Sequence, residues 1–338
     1  MKSVLITGGM GFVGTYLVRL LKRTASIVVL ASPGGGGSRE HGVAYYNVDI
    51  RSADQLRTII REVSPIEIYH LAAISSVAVS WSDPRLAFEV NVIGTYNLVE
   101  AAMNLSSPPR ILNVSTAQVY SPSSTPLRES SPTHPINPYA ATKAMAELVT
   151  VQYRNSDKGG VITARSFNHT GPGQSTDFVL PTIAKQFAEI EAGLRTPELM
   201  VGNLAVVRDF TDVRDVVCAY AALVSKGRTG DTYNVCSGIP IPLAAVISEF
   251  EVLCNVRVKI KTDPARVRSN EISQVIGHRN KIEREVGWKP QIPLETTLRD
   301  LLEYWREKVK QRRSFPARSP LMSTSRTLAM DGSDERNT

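Results

Sequence analysis

The sequence predicts a doubly wound parallel α/β sheet followed by a smaller C-terminal α/β lobe. Three observations predict it: short β-branched runs alternate with amphipathic stretches through the first half, a glycine cluster follows the first run directly, and the second half turns proline-rich and less regular. Repeated strand–helix units imply parallel strands, because each crossover helix covers one face of the sheet.

Each element follows from its pattern. Residues 4–7 read as the first strand and 12–23 as a helix with Val13, Leu17, Leu20 and Leu21 on one face. A second strand at 27–30 runs into Gly34-Gly35-Gly36-Gly37, a flexible loop. Residues 43–48 form a third strand, and 53–63 a helix turning Leu56, Ile59, Ile60 and Val63 inward. A fourth strand at 66–71, one long helix over 86–105, a fifth strand at 111–114, a helix over 138–153 and a strand at 161–165 complete the regular part. Later pieces, helix 213–225, strand 232–235 and helix 244–253, either complete the sheet or form the lobe. A last helix over 294–310 carries Leu298, Leu301, Leu302 and Trp305 inward. The expected organisation is a dinucleotide-binding unit over 1–166 completed by parts of 205–240, a lobe mainly over 167–310, and a disordered tail over 312–338 that is poor in apolar residues.

Bulk properties narrow the function. At 338 residues the chain exceeds most single cores, and 42% hydrophobic with 21% charged residues is an ordinary globular composition. Met1-Lys2 leads straight into a short apolar run, unlike a signal peptide, and no apolar stretch is long enough to span a bilayer, so no membrane association is expected. Cys218, Cys236 and Cys254 are odd in number and widely spaced, which suits a reducing, cytoplasmic setting. The five histidines lack ligand spacing, so no metal is expected. The net charge of +7 is dispersed, with its densest run at 308–313, a solvated basic tail; no aromatic-basic platform for nucleic acid accompanies it. A modest positive excess also suits an anionic small substrate.

After the first strand comes Thr7-Gly8-Gly9-Met10-Gly11-Phe12-Val13-Gly14. Gly8, Gly9, Gly11 and Gly14 satisfy both common spacings of a phosphate loop. Glycines let the backbone approach a pyrophosphate, and the helix opening at Phe12 and Val13 offers N–H groups and a positive dipole end. Placed between strand and helix, the motif points to an NAD(P)-binding Rossmann unit. An acid ending the second strand would favour NAD by accepting the ribose hydroxyls, but here the strand runs into Ala31-Ser32-Pro33, with no acid before Glu40. NADP(H) is therefore favoured over NAD(H), with Ser32 or Arg39 facing a 2′-phosphate; a divergent loop would look the same. Asp49 is placed for an adenine amino group or as a helix N-terminal acid. Leu71, Ala72 and Ala73 let a cofactor lie at the sheet edge, or pack economically.

Pro138-Tyr139-Ala140-Ala141-Thr142-Lys143 sets a tyrosine and a lysine four apart on one helix face. A carbonyl reduced by hydride must also gain a proton, and an adjacent ammonium favours the phenolate that the donor leaves behind. The lysine can also meet the nicotinamide ribose. Ser115-Thr116-Ala117-Gln118-Val119-Tyr120 leaves the fifth strand at its carboxyl end, where open α/β sheets bind ligands, so Thr116 can hold a substrate oxygen beside Tyr139.

On these residues, with His70-Leu71-Ala72-Ala73 and Asn91-Val92-Ile93-Gly94-Thr95, the chain resembles an extended short-chain dehydrogenase/reductase of the nucleotide-sugar branch, from residue 2 to about 306. Its second half is similar to GDP-mannose 4,6-dehydratases and the reductases that follow them. That resemblance rests on Phe167-Asn168-His169-Thr170-Gly171-Pro172-Gly173-Gln174, on Val201-Gly202-Asn203-Leu204, on residues 208–215 and 233–238, and on Asp263-Pro264-Ala265-Arg266-Val267-Arg268. It implies that Asn168, Arg208 and Arg268 contact the nucleotide diphosphate, which arginine forks suit; Arg208 could otherwise pair with Asp209 or Asp212. It also implies cofactor contacts at Ile50, Asn91 and Phe167, and substrate contacts at Ser75, Ser76, Thr116, Gln118, Val179, Lys185, Asn203 and Glu271. One departure stands out: Arg268 is followed by Ser269, Asn270 and Glu271 rather than by proline and an acid.

In the dehydratases a glutamate two residues before the motif-ending tyrosine is the base that takes the C5 proton; here that position is Gln118. An amide is no base near neutral pH, so the expected reaction is NAD(P)H-dependent reduction of GDP-4-dehydro-6-deoxy-D-mannose. A dehydratase or epimerase that recycles its cofactor is the nearest rival, and a non-catalytic dinucleotide-binding regulator a distant one, since the tyrosine is kept. Helices 86–105 and 138–153 could pair with their copies, as in this family's dimers.

Overall fold

The computed structural model describes residues 2–32, 39–153, 160–264 and 272–314. The first half runs β1 (Lys2–Thr7), α1 (Phe12–Leu21), β2 (Ala25–Ala31), β3 (Ala44–Asn47), α2 (Ala53–Val63), β4 (Glu67–His70), α3 (Val77–Ser82), α4 (Pro84–Phe88), α5 (Gly94–Met103), β5 (Arg110–Thr116), α6 (Pro138–Val149) and β6 (Gly160–Ser166). Then α7 (Val179–Glu191) enters the lobe, α8 (Val213–Lys226) and β7 (Thr232–Val235) return to the sheet, and α9 (Leu243–Cys254), α10 (Asn280–Val286) and α11 (Leu294–Ser314) follow.

Seven strands form one parallel sheet in the order β7-β6-β5-β4-β1-β2-β3. The order reverses between β1 and β4, so the loops after these strands diverge and open a crevice at their carboxyl ends. Alternation along β1 builds two cores: Val4 and Ile6 meet Leu17, Leu21, Tyr220 and Leu223 of α1 and α8, while Leu5 meets Leu56, Ile60 and Leu98 of α2 and α5. Leu56 and Ile60 are fully buried, each stabilising the fold by about 1.5–3 kcal/mol. A third core joins α7, α9 and α11 through Phe187, Phe250, Leu298 and Leu302. Short parallel pairs, Asn168–Thr170 with Phe210–Asp212 and Glu198–Val201 with Lys259–Thr262, complete the lobe.

Two expected helices are interrupted or cut short in the structure. The helix expected over 86–105 starts at Pro84, capped by Asp83, and widens into a π turn at Glu89–Ile93 before α5. The widening coincides with Asn91, whose side chain is fully buried and bonded to the Ile74 backbone and to Thr142. Gly94 then lies so close to Ile50 that a Cβ would meet its side chain at 2.6 Å. The helix expected over 138–153 stops at Val149 and becomes a 3-10 turn, Val151–Tyr153, after Thr150 turns its hydroxyl back to the Glu147 carbonyl. Helix α7 had no cap signal: Phe178 offers no capping side chain, and Pro181 sits inside its first turn. The last helix continues to Ser314, so the remainder of the expected tail lies outside the described residues. Among the described residues, no helix is long and apolar enough to cross a membrane.

Helix α6 is locked to the sheet by charge. Ser115 and Arg165 are register partners on β5 and β6, and both reach Glu147 of α6; the Arg165–Glu147 pair closes at 2.7 Å and is buried. Removing one partner of such a pair strands the other charge. Arg165→Ala is expected to lower stability by about 3–5 kcal/mol in urea unfolding. A loss below about 1 kcal/mol, the range of an exposed pair, would contradict this role.

Candidate active site

Thr116 ends β5, and the chain turns there into a single 3-10 turn, Ala117–Val119, whose Gln118 N–H donates to Thr116 Oγ1 at 3.2 Å. Across the crevice α6 opens with Pro138 in its first turn and Asn137 as its cap, the Ala140 N–H donating to Asn137 Oδ1 at 2.8 Å. The next free N–H, that of Tyr139, donates to Ser80 Oγ at 3.1 Å. Asn137 Nδ2 donates to Gln118 Oε1 at 3.1 Å, joining the start of α6 to the end of β5. Tyr139 is thereby held opposite Thr116, whose hydroxyl acts on the phenol.

Thr116 Oγ1 accepts from Gln118 and keeps one hydrogen and one further lone pair to offer. Burial pushes the Tyr139 phenol above its ordinary value, and the Thr116 bond pulls it back. One turn on, Lys143 is 4% exposed. Burial lowers its ammonium to about 8, and the Glu147 carboxylate, one further turn along, opposes that shift.

The glycine loop fits a pyrophosphate. Gly8 has φ +68, and a Cβ there would meet the Ala72 backbone at 2.8 Å; a Cβ on Gly14 would meet Gly9 Cα at 2.6 Å. Gly11 stands at the cap position without a capping side chain, so the N–H groups at Phe12 and Val13 head an open helix N-terminus. Beside it, Thr7 Oγ1 accepts from Ala72 N at 3.2 Å, fixing the segment with Leu71 and Ala73. Beneath lies a directed chain. Thr95 gives its hydrogen to the Asn91 carbonyl, so His70 Nε2 must donate to Thr95, and Thr7 must donate to His70 Nδ1 at 2.7 Å. Burial holds His70 neutral, its value pushed down to about 3.

The other residues expected at the cofactor have these neighbours. Both Asp49 oxygens are taken by Arg51, which lowers the carboxyl. The Ile50 side chain is buried against Gly94. The Asn91 amide is used on Ile74 and Thr142, and Phe167 is buried, with its carbonyl on His169 Nδ1. Ser32 is exposed just past β2, and Arg39 lies over the Tyr45 ring at 5.3 Å. Glu40, the first acid after β2, is turned onto α1 through Arg19 and Lys22, both at 2.6 Å.

On the lobe side, Asn168 is exposed at the head of its short strand, and Val179 is exposed at the start of α7. Asn203 closes a turn on Ala205 N, and Ser76 caps α3 beside the exposed Ser75. Lys185 faces Glu189 and the Trp305 ring of α11. Arg208 donates to the Val207 and Ser273 carbonyls; Asp209 is engaged by Ser237, Gly238 and Gly277, and Asp212 by Arg214 and Thr297. Arg268 and Glu271 lie outside the described residues. Among the described residues no cluster of three or more His, Cys, Asp or Glu is placed to hold a metal.

Sequence reasoning missed Ser80, which lies 59 residues from the N–H it holds, and the Glu147–Arg165 lock, whose partners share no local motif. The Asn137-Pro138 pair was a readable helix start.

A threonine at a strand end facing a tyrosine and a lysine one helical turn apart, over a glycine cradle in a doubly wound sheet, defines a short-chain dehydrogenase/reductase. The chain belongs to the GDP-mannose 4,6 dehydratase family, whose model matches residues 5–301. It is 33% identical over 314 residues to the GDP-6-deoxy-D-mannose reductase of Pseudomonas aeruginosa, covering 92% of this chain and 99% of that protein. It is 28% identical over 357 residues to the GDP-mannose 4,6-dehydratase of Yersinia enterocolitica, covering 92% and 95%. The structure of RMD from Pseudomonas aeruginosa, complexed with NADPH, matches with a TM-score of 0.81 at 32% identity, covering 91% of this chain and all of that one.

Lys143 should titrate near 8 in the protein without ligands, charged below that value and neutral above it. After reductive ¹³C-methylation, NMR should show one lysine titrating well below the others, and that signal should be missing from Lys143→Met. If every lysine titrates near its ordinary value, the site is wetter than its burial implies.

Proposed function

We propose that the protein reduces the 4-keto group of GDP-4-dehydro-6-deoxy-D-mannose to a GDP-6-deoxyhexose of the GDP-D-rhamnose type, with NADP(H) favoured over NAD(H). Gln118 is the observation that carries this reading. It stands where the family's dehydratases place a glutamate base, and an amide cannot take the C5 proton. Beyond a hydride from the nicotinamide, reduction needs only a proton donor at the carbonyl oxygen, and Tyr139, Thr116 and Lys143 would supply that apparatus. The similarity to the Pseudomonas reductase, over 99% of that protein, supports the same choice.

The loop from Gly8 to Gly14 would hold the cofactor pyrophosphate, and Lys143 would meet the nicotinamide ribose. Bound there, the nicotinamide supplies the hydride that reaches C4. Tyr139 gives its phenol proton to O4, and the resulting phenolate is held by the Thr116 hydroxyl and the nearby ammonium of Lys143. A proton from water restores the phenol. Glu40 is neutralised on α1, so no free carboxylate after β2 opposes a 2′-phosphate, and Ser32 and Arg39 are the residues nearest that segment. The arginines at 208 and 268 are proposed for the diphosphate of the GDP-sugar.

A homodimer is proposed through α5 and α6. Tyr96 of α5 and Met145 and Leu148 of α6 are exposed apolar side chains, Leu148 at 69%. Leu148→Glu is expected to shift the protein to monomer in light scattering, and an unchanged mass would remove this face from consideration.

Purified protein given the ketone and NADPH should oxidise the nicotinamide, with NMR of the product showing a new C4–H. Tyr139→Phe should lower turnover about 10²–10⁴-fold while still binding NADPH. Failure of the wild type to consume reduced nicotinamide with this ketone would overturn the assignment.

A further inference from the structure

Gln118 does more than lack basicity, because its amide can point only one way. The Ala140 N–H can only donate, and it donates to Asn137 Oδ1 at 2.8 Å. Asn137 therefore presents Nδ2, a donor, to its other neighbour. That neighbour is Gln118 at 3.1 Å, which must present Oε1 in return. Turning the Gln118 amide over would set two NH₂ groups face to face and lose the bond. Gln118 Nε2 is thus directed away from Asn137, and among the described residues no protein partner receives it. The residue is half-buried, between Thr116, which takes its backbone N–H, and the first turn of α6 that carries Tyr139.

We propose that Gln118 is a specificity-determining residue whose Nε2, aimed by Asn137, donates a hydrogen bond to an oxygen of the sugar beside the reacting carbon. This rests on the GDP-sugar reading above and deepens it. A fixed donor selects oxygens: the carbonyl, a neighbouring hydroxyl or the ring oxygen can accept, whereas a C–H next to the ketone gains nothing from it. The same position that would host a base for elimination instead grips the sugar from the side, and the grip depends on a cap residue that touches no substrate. Asn137 is accordingly a positioning residue, acting through Gln118.

The test separates sugar from nucleotide. Affinities of the NADPH-saturated protein for GDP-mannose and for GDP are measured by calorimetry in wild type, Gln118→Ala and Asn137→Asp. Gln118→Ala removes the donor. Asn137→Asp keeps the α6 cap, since a carboxylate still accepts from Ala140, but it can no longer donate; Gln118 then turns Nε2 toward it and aims Oε1 at the sugar. Both variants are expected to bind GDP-mannose about tenfold more weakly while GDP stays within twofold, the retained GDP affinity also reporting an intact fold. GDP-mannose affinity within twofold of wild type in Gln118→Ala overturns the proposal, as does an effect on GDP of the same size. A loss in Gln118→Ala without one in Asn137→Asp overturns the part assigned to Asn137. A wild type that binds neither ligand overturns the GDP-sugar reading and this inference together, whereas a wild type that binds both, with variants like it, overturns this inference alone.

Discussion

The attachment of α6 to the sheet is the constraint on which the reactive geometry depends. Glu147 enters a nearly dry interface, and the cost of taking its charge out of water is offset by Arg165 and by the Ser115 hydroxyl. The residues that matter for chemistry stand on the two turns ahead of it, at 139 and 143, so any rotation of the helix would carry them together. Fixing one distant carboxylate sets the phase of the whole helix face, and Ser80 and Asn137 fix its leading end.

The two sides of the crevice are built from different materials. The side proposed for the cofactor is backbone: glycines, an uncapped helix start and the segment after β4, the last tied to the Thr7–His70–Thr95 chain. The side proposed for the substrate is made of side chains that stand on the lobe, Asn203, Arg208 and Lys185 each anchored to its own neighbours. A rigid floor with a separately anchored opposite wall suits a site whose reaction stays the same across a family while the bound sugar varies.

Much of this was legible in the sequence, for physical reasons. The inner strands of the sheet are largely buried on both faces, so they read as apolar runs, and the glycine loop has a spacing that few other structures need. Thr116, Tyr139 and Lys143 were readable because helix periodicity puts the last two on one face and strand ends face the crevice. The π turn at Asn91 was not readable: a helix with one residue too many keeps an apolar pattern, and only the buried amide at its centre marks it. The local partners of Asp49 and Phe167, Arg51 and the backbone around His169, were not readable, because spacing alone does not show which neighbour a side chain meets. The lobe was least legible, since its strands are two to four residues long and carry little periodicity.

The neutral imidazole at the centre of the sheet gives the fold an acid liability. His70 bonds through both nitrogens, one of them as an acceptor, so a second proton would force the Thr7 hydroxyl to give up its donor role. An unfolded chain binds that proton near the ordinary histidine value, whereas the folded one resists it down to about 3. Between those limits the unfolded state holds the extra proton, so folding stability falls as pH falls, by at most about 1.4 kcal/mol per unit from this one group. The same hydrogen bonds that stiffen the floor beneath the glycine loop at neutral pH thus make the fold sensitive to acid.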